Sequence, residues 1–130
     1  MSKAPGYQKN PRHRIATTLV EAPVRVLLHG QVVAESTDVV RLEEEGHPVR
    51  YYFPRTGVRV DQLERSQSVT RCPFKGTASY FTLNVGGTRL ADSIWSYEDP
   101  YEEHLILRER LAFYTEKFPE LTIEVGDAQR

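Results

Sequence analysis

The chain has 130 residues, of which 39% are hydrophobic, and its 17 basic and 18 acidic side chains give a formal net charge of −1. This length suits one domain with a real core, and the near-zero charge argues against a strongly polyanionic or polycationic partner. A single cysteine excludes an internal disulfide and the four-cysteine zinc sites of many small β domains.

The chain gives no sign of a membrane partner. No apolar run approaches the length of a membrane span, and the first residues lack the apolar core of a signal peptide. The four histidines have no metal-motif spacing, so we expect no metal and no cofactor. We expect a soluble cytoplasmic protein, and the sequence leaves its oligomeric state open.

Residues 1–14 are polar and basic with two prolines, and they are predicted to be a flexible lead-in to a single β-rich domain over 15–130. β-rich patterns predict strands at 15–20 (an edge strand), 24–29, 32–36, 38–42, 48–53, 58–61, 78–85 and 88–93. Tight turns are predicted at Gly30-Gln31 and Gly86-Gly87. The acidic run 43–46 is predicted to be a turn that stays outside the core.

The remaining segments complete a mainly β fold. One turn of helix is predicted at 63–66, and a short helix is predicted after Pro100, where acidic residues favour a helix N-terminus. Residues 105–114 could prolong that helix, but a strand at 111–114 is the favoured prediction, and a final strand is predicted at 121–125. The two tyrosines at positions 51 and 52 are neighbours in a strand and must point to opposite faces.

The segment 70–80 holds most of the reactive side chains. Cys72 would be a nucleophile if nearby cations, Arg71 and Lys75, stabilised its thiolate. The alternative is a small buried apolar side chain, the usual state of a free cysteine. Lys75 could also bind a phosphate or carboxylate, although the sequence is not a Walker loop because Thr70 stands where its first glycine would be.

A second group is aromatic. Trp95 and Tyr97 share one face of an extended strand, and with Tyr80 and Tyr52 they could wall a pocket for a flat ring. The alternative for Trp95 is core packing. Six basic and two acidic residues lie between positions 50 and 75. Arg55, Arg71 and Lys75 could therefore recognise an anion, although a solvated basic face explains the same pattern.

From about residue 24 to 127 the chain resembles the domain-of-unknown-function family numbered 427. The residues that carry the resemblance are Arg25-Val26, Gly30, Val33-Ala34, Ser36, Tyr51–Pro54, Val58, Asp61–Leu63, Thr70–Tyr80 with the pattern Cys-Pro-Phe-Lys-Gly-x-Ala-x-Tyr, Trp95–Tyr97, Pro100 and Ala112–Tyr114.

The resemblance implies a compact β-tent, two antiparallel sheets meeting at an angle, as in methionine-R-sulfoxide reductases and the drug-binding domain of cereblon. Those relatives carry zinc on four cysteines, which this chain lacks. Their aromatic ligand pocket is the feature that Trp95, Tyr97 and Tyr80 would supply. The family also carries the label nucleotidyltransferase-like, but no Gly-Ser followed by Asp-x-Asp is present.

The leading hypothesis is a small-ligand-binding β domain with an aromatic and basic pocket. The alternative is an enzyme in which Cys72 is the nucleophile and Lys75 assists, and alkylation of the thiol distinguishes the two. A third hypothesis, single-stranded nucleic-acid binding, is less favoured and predicts steep salt dependence. We further expect Trp95 or Tyr97 to contact the 72–80 segment, and Lys75 to reach the same cavity.

Overall fold

A computed structural model describes residues 2–126, so the predicted domain's last four residues lie outside the described range. The elements in chain order are a short helix and ten strands: α1 (Gly6–Lys9), β1 (Ile15–Leu19), β2 (Val24–Leu28), β3 (Gln31–Ser36), β4 (Val40–Glu44), β5 (Arg50–Tyr52), β6 (Leu63–Cys72), β7 (Gly76–Val85), β8 (Thr88–Ser96), β9 (Leu111–Phe113) and β10 (Leu121–Val125). Short 3-10 turns lie at Arg55–Gly57, Val60–Gln62 and Glu102–Leu107.

The strands pair in an antiparallel manner in three sheets, with the orders β1-β4-β5, β10-β2-β3 and β6-β7-β8-β9. The predicted mainly β class is confirmed, with three hydrogen-bonded sheets where two were expected. A bridge between Phe53 and Leu111 links the ends of two sheets, which brings β5 beside β9. Among residues 2–126, no helix has the length and apolar character needed to cross a membrane.

Two hydrophobic clusters form the core. The larger one contains Val24, Val26, Phe53 and Ile94, and the smaller one contains Tyr52 and Trp95. Tyr51 packs against the larger cluster while Tyr52 is buried in the smaller, which confirms that these neighbours point to opposite faces. The smaller cluster positions the candidate site, because part of it is exposed to a cavity.

The turn between β7 and β8 forms as predicted. Gly86 and Gly87 have φ of 54° and 86°, and Val85 pairs with Thr88 across the turn. Such positive φ angles at both central positions match the twist of the flanking strands and favour glycine. The β2–β3 turn has the same form, but it lies one residue earlier than predicted, at His29 and Gly30.

The register of this β7–β8 hairpin differs from the one that the turn alone predicts. A two-residue turn would place Tyr80 opposite Ser93, whereas Tyr80 pairs with Trp95. A register shift between Phe81 and Leu83 causes the difference, and Asp92 in the bulged segment has a φ of 54°. Because the shift is two residues, every side chain keeps its face of the sheet, and Trp95 moves directly beside Tyr80.

The helical turn predicted at 63–66 is wrong, because these residues begin β6 and pair with β7. The local sequence pattern of residues 63–66 gives only a weak signal for a strand, and pairing with the long strand β7 determines their conformation. The predicted short helix after Pro100 exists as the 3-10 segment Glu102–Leu107, followed by β9 as expected.

The lead-in lies against the domain. Ala4 is buried, and the Gly6 amide donates to the Pro73 carbonyl oxygen at 2.9 Å. A Cβ on Gly6 would lie 2.7 Å from the Phe74 ring, so the close approach requires glycine. This contact fixes the turn that follows β6.

Candidate functional site

A cavity of about 380 Å³ lies between β5, β8 and the turn that follows β6. Its aromatic lining residues are Tyr52, Phe74, Tyr80, Trp95, Tyr97 and Tyr114. Its ionisable lining residues, apart from the tyrosines, are His13, Glu44, His47, Arg50, Arg71, Cys72 and Lys75.

The structure brings seven of the eight predicted site residues into this one cavity: Tyr52, Arg71, Cys72, Lys75, Tyr80, Trp95 and Tyr97. Lys75 Nζ lies 5.6 Å from the centre of the Tyr97 ring, so the expected contact between the two segments is present. Arg55 is outside the cavity lining. Its guanidinium donates to Glu98 Oε2 at 3.0 Å and to the Glu109 carbonyl oxygen at 2.7 Å.

The turn from Cys72 to Gly76 places Lys75 in the cavity. Cys72 and Gly76 pair at the ends of β6 and β7, and Gly76 has a φ of 125°. A Cβ at Gly76 would lie 3.3 Å from Pro100 Cα, and the Lys75 carbonyl oxygen accepts from the Tyr101 amide at 3.0 Å. Glycine therefore allows the turn to pack on the chain after β8, which fixes the lysine backbone.

Lys75 and Glu44 form a buried ion pair that the sequence interpretation missed. Lys75 Nζ lies 2.6 Å from Glu44 Oε1, and the two residues are only 7% and 8% exposed. The prediction that the run 43–46 stays outside the core is therefore wrong for Glu44. The signal was the alternation Val40-x-Leu42-x-Glu44, whose three members point inward along β4, and a lysine partner makes burial of the carboxylate tolerable.

Glu44 also joins two histidines to the site. His13 Nε2 lies 2.8 Å from Glu44 Oε2, His47 Nε2 lies 3.8 Å from it, and the His13 ring stacks on Phe74 at 4.1 Å. Burial raises the pKa of the Glu44 carboxyl, but hydrogen bonds from Lys75 and His13 outweigh it, so the pKa lies below its ordinary value. Glu44 is therefore a carboxylate at neutral pH.

The aromatic wall is built around the Trp95 indole. Its Nε1–H donates to the Tyr52 hydroxyl at 3.2 Å, and the two rings meet edge to face at 6.3 Å. Trp95 is 8% exposed, so it is both a core residue and a cavity wall. The guanidinium carbon of Arg50 lies 4.9 Å from the centre of the Trp95 ring and is held there by Glu116, at 2.6 Å from Arg50 Nη1.

The tyrosine hydroxyls are hydrogen-bond donors at neutral pH. Burial raises the pKa of Tyr52 and of Tyr97 well above the ordinary value, and for Tyr97 the nearby Tyr52, Cys72, Tyr80 and Glu44 raise the pKa further. The Tyr80 hydroxyl pairs with Thr70 Oγ1 at 2.9 Å. Within residues 2–126 the Tyr97 hydroxyl has no such partner, so its proton is free for a molecule in the cavity.

Cys72 is a free, partly exposed thiol in the same cavity wall. Arg71 and Lys75 flank it in sequence, and Lys75 is already paired with Glu44. In the part of the chain that the structure describes, no group of three or more histidine, cysteine, aspartate or glutamate side chains is arranged to hold a metal ion.

The sequence matches a family described as "Domain of unknown function (DUF427)" over residues 17–124. The chain belongs to this family. The matched segment contains β2 to β9 and every predicted site residue, whereas His13 lies in the lead-in before it. A search among curated proteins finds no match to this DUF427 chain.

The titrating groups predict that acid destabilises the protein. Burial lowers the pKa of His104, and the nearby Lys75 lowers it further, so the fold favours the neutral ring. A hydrogen bond from Arg65 and further pairing lower the pKa of Glu98 to about 2, and the pKa of Glu44 is also lowered. In all three cases the unfolded chain binds protons first, so stability falls as pH falls.

We therefore expect the free energy of unfolding to decrease from pH 7 to pH 3. His104 contributes first, below its ordinary pKa of 6.5, and the carboxylates contribute below about 4.5. Urea unfolding at several pH values measures the curve. In His104→Gln the upper part of the loss should disappear while the lower part remains, and a flat curve between pH 6 and 3 would contradict the assignment.

Proposed function

We propose that this protein binds a small, flat aromatic ligand in the cavity beside the Cys72–Gly76 turn. The observation that carries the proposal is the convergence of Tyr52, Tyr80, Trp95 and Tyr97 on a single cavity. Its volume of about 380 Å³ lies within the range of about 300–1,000 Å³ typical of ligand pockets. Its lining combines aromatic rings with charged side chains, and polar groups set among aromatic walls are how ligand pockets orient what they bind.

The ring faces and polar groups have complementary roles in this proposal. The half-buried Tyr80 offers the most accessible ring of the four, since Tyr52, Trp95 and Tyr97 are each 8% exposed or less. The Tyr97 hydroxyl supplies a donor that orients a ligand acceptor. Stacking and one directed hydrogen bond together favour a planar heteroaromatic or substituted aromatic molecule.

Tyr80→Ala tests this function. Naphthalene-2-carboxamide is the probe, and its affinity is measured by ligand-observed NMR. We expect about a tenfold loss of affinity, because the variant removes a wall that stacks on the ring. Tyr51→Ala is the matched control, since Tyr51 is a partly buried tyrosine that packs on the other cluster. Equal binding by wild type and Tyr80→Ala, or a larger loss in Tyr51→Ala, would refute the assignment.

An enzyme with Cys72 as nucleophile is the second candidate. It is favoured by the position of the thiol in the same cavity as the linked Lys75, Glu44 and His13. However, the Lys75 ammonium is already paired with the Glu44 carboxylate, so it stabilises a thiolate at Cys72 less than an unpaired cation would. Iodoacetamide decides between the candidates: alkylation slower than in the unfolded chain favours ligand binding, and faster alkylation favours the enzyme.

Single-stranded nucleic acid is less favoured as a partner, because carboxylates pair with most of the basic residues between positions 50 and 75. Glu98 pairs with Arg55 and Arg65, Glu116 with Arg50, and Glu44 with Lys75. The proposal also retains two expectations from the sequence. They are a β-tent arrangement, supported by antiparallel sheets and the DUF427 match, and a cytoplasmic location, supported by the lone cysteine.

A further inference from the structure

The basic side chains of the cavity wall differ in whether a carboxylate of the protein already pairs with them. Lys75 pairs with Glu44 at 2.6 Å, and Arg50 pairs with Glu116 at 2.6 Å. The Glu44 carboxylate also accepts from His13. These groups are held by fixed carboxylates of the protein, so an incoming anion has to compete for them.

The buried end of the cavity is electrically balanced. Glu44 and Lys75 are both nearly inaccessible to solvent, and the Tyr97 ring lies 5.6 Å from Lys75 Nζ. A second anion placed there would lose its hydration and would be repelled by the Glu44 carboxylate at short range. An uncharged hydrogen-bond acceptor avoids this desolvation and repulsion, and it can accept a hydrogen bond from the Tyr97 hydroxyl.

Arg71 is different. It lies at the exposed end of β6, beside Cys72, and pairs with Thr77 only through the strand ladder. Within the described range 2–126, its guanidinium forms neither an ion pair nor a hydrogen bond, although it lines the cavity. It is therefore a cation at the mouth with all of its donors available, and a guanidinium can hold a carboxylate or phosphate through two parallel hydrogen bonds.

We propose that the ligand is a flat aromatic compound with one anionic substituent, bound with that substituent at Arg71 and with an uncharged end at Tyr97. This inference rests on the proposed function and defines its ligand class. It assigns anion recognition to Arg71 at the rim and gives Lys75 an internal role, as the counter-ion of Glu44.

The test compares two probes of the same shape, naphthalene-2-carboxylate and naphthalene-2-carboxamide. Their affinities for wild type, Arg71→Gln and Arg59→Gln are measured by ligand-observed NMR at low and at high salt. Arg59 is the matched control, since it is an exposed arginine that does not line the cavity. We expect wild type to prefer the carboxylate about tenfold at low salt, the size of one charge-assisted interaction in a partly exposed position.

In Arg71→Gln we expect that preference to fall to about twofold while carboxamide affinity stays within about twofold of wild type, and in Arg59→Gln we expect no change. A preference that survives in Arg71→Gln, or equal binding of the two probes by wild type, would overturn the inference and leave the aromatic site standing. Failure of wild type to bind either probe would overturn the proposed function together with the inference.

Discussion

Lys75→Met should destabilise the protein by about 3–5 kcal/mol at pH 7, because it leaves the buried Glu44 carboxylate without its cation. Methionine has a similar length and packs readily, so the lost volume is small and the effect reports the charge. His13 remains as a hydrogen-bond partner of Glu44, but its ring is stacked on Phe74 and does not replace the lysine ammonium at Glu44 Oε1. Urea unfolding at pH 7 measures the loss.

The control is the double variant Glu44→Gln with Lys75→Met. Removing both charges together leaves no uncompensated ion, so this variant should unfold within about 1 kcal/mol of wild type. The coupling between the two positions then comes from the double-mutant cycle. A Lys75→Met protein as stable as wild type would show that water solvates Glu44. The claim that Lys75 balances the charge of Glu44 at the buried end of the cavity would then be wrong.

Trp95→Ala should destabilise the protein by about 3–5 kcal/mol, since a large aromatic side chain is removed from a packed cluster. Two further contacts go with it: the indole hydrogen bond to the Tyr52 hydroxyl and the stacking of Arg50 on the ring. The sequence left open whether Trp95 is a pocket wall or a core residue. Its 8% exposure makes alanine a test of stability as well as of binding.

Trp95→Phe separates the two effects. It keeps an aromatic wall but removes the indole donor, so we expect about 1–3 kcal/mol of destabilisation and retained binding of naphthalene-2-carboxamide. Thermal unfolding and ligand-observed NMR measure the two properties in parallel. A Trp95→Ala protein that is as stable as wild type would show that the side chain is only lightly packed.

The sequence predicted the β class and most strands because their signals are local. The pair Gly86-Gly87 by itself predicts a two-residue hairpin turn, and the alternation of apolar and polar residues around it predicts both flanking strands. The register was not predictable to the residue, since the bulge near Asp92 depends on how Phe81 and Ile94 pack in the core. Edge strand β6 was likewise assigned wrongly at 63–66, because its structure comes from pairing with β7.

The site was predicted where aromatic and basic residues are close in sequence to the turn, as for Cys72, Lys75 and Tyr80. Glu44 was missed because three consecutive glutamates suggest solvent, and only the position of Lys75 across the cavity explains why one of them is buried. Arg55 was assigned to the pocket by its neighbours in sequence. Arg55 instead forms an ion pair with Glu98, 43 positions away, and no local sequence pattern predicts such a long-range contact.

The most direct test of the aromatic cavity uses the chain's only tryptophan. A ¹H–¹⁵N correlation spectrum contains one indole Nε1–H signal, and this group lies on Tyr52 at the cavity wall. On titration with naphthalene-2-carboxamide we expect this signal to shift saturably, together with the backbone amides of Cys72, Phe74, Lys75 and Gly76. If the indole signal stays fixed while amides elsewhere shift, the ligand binds outside the cavity and the account is wrong.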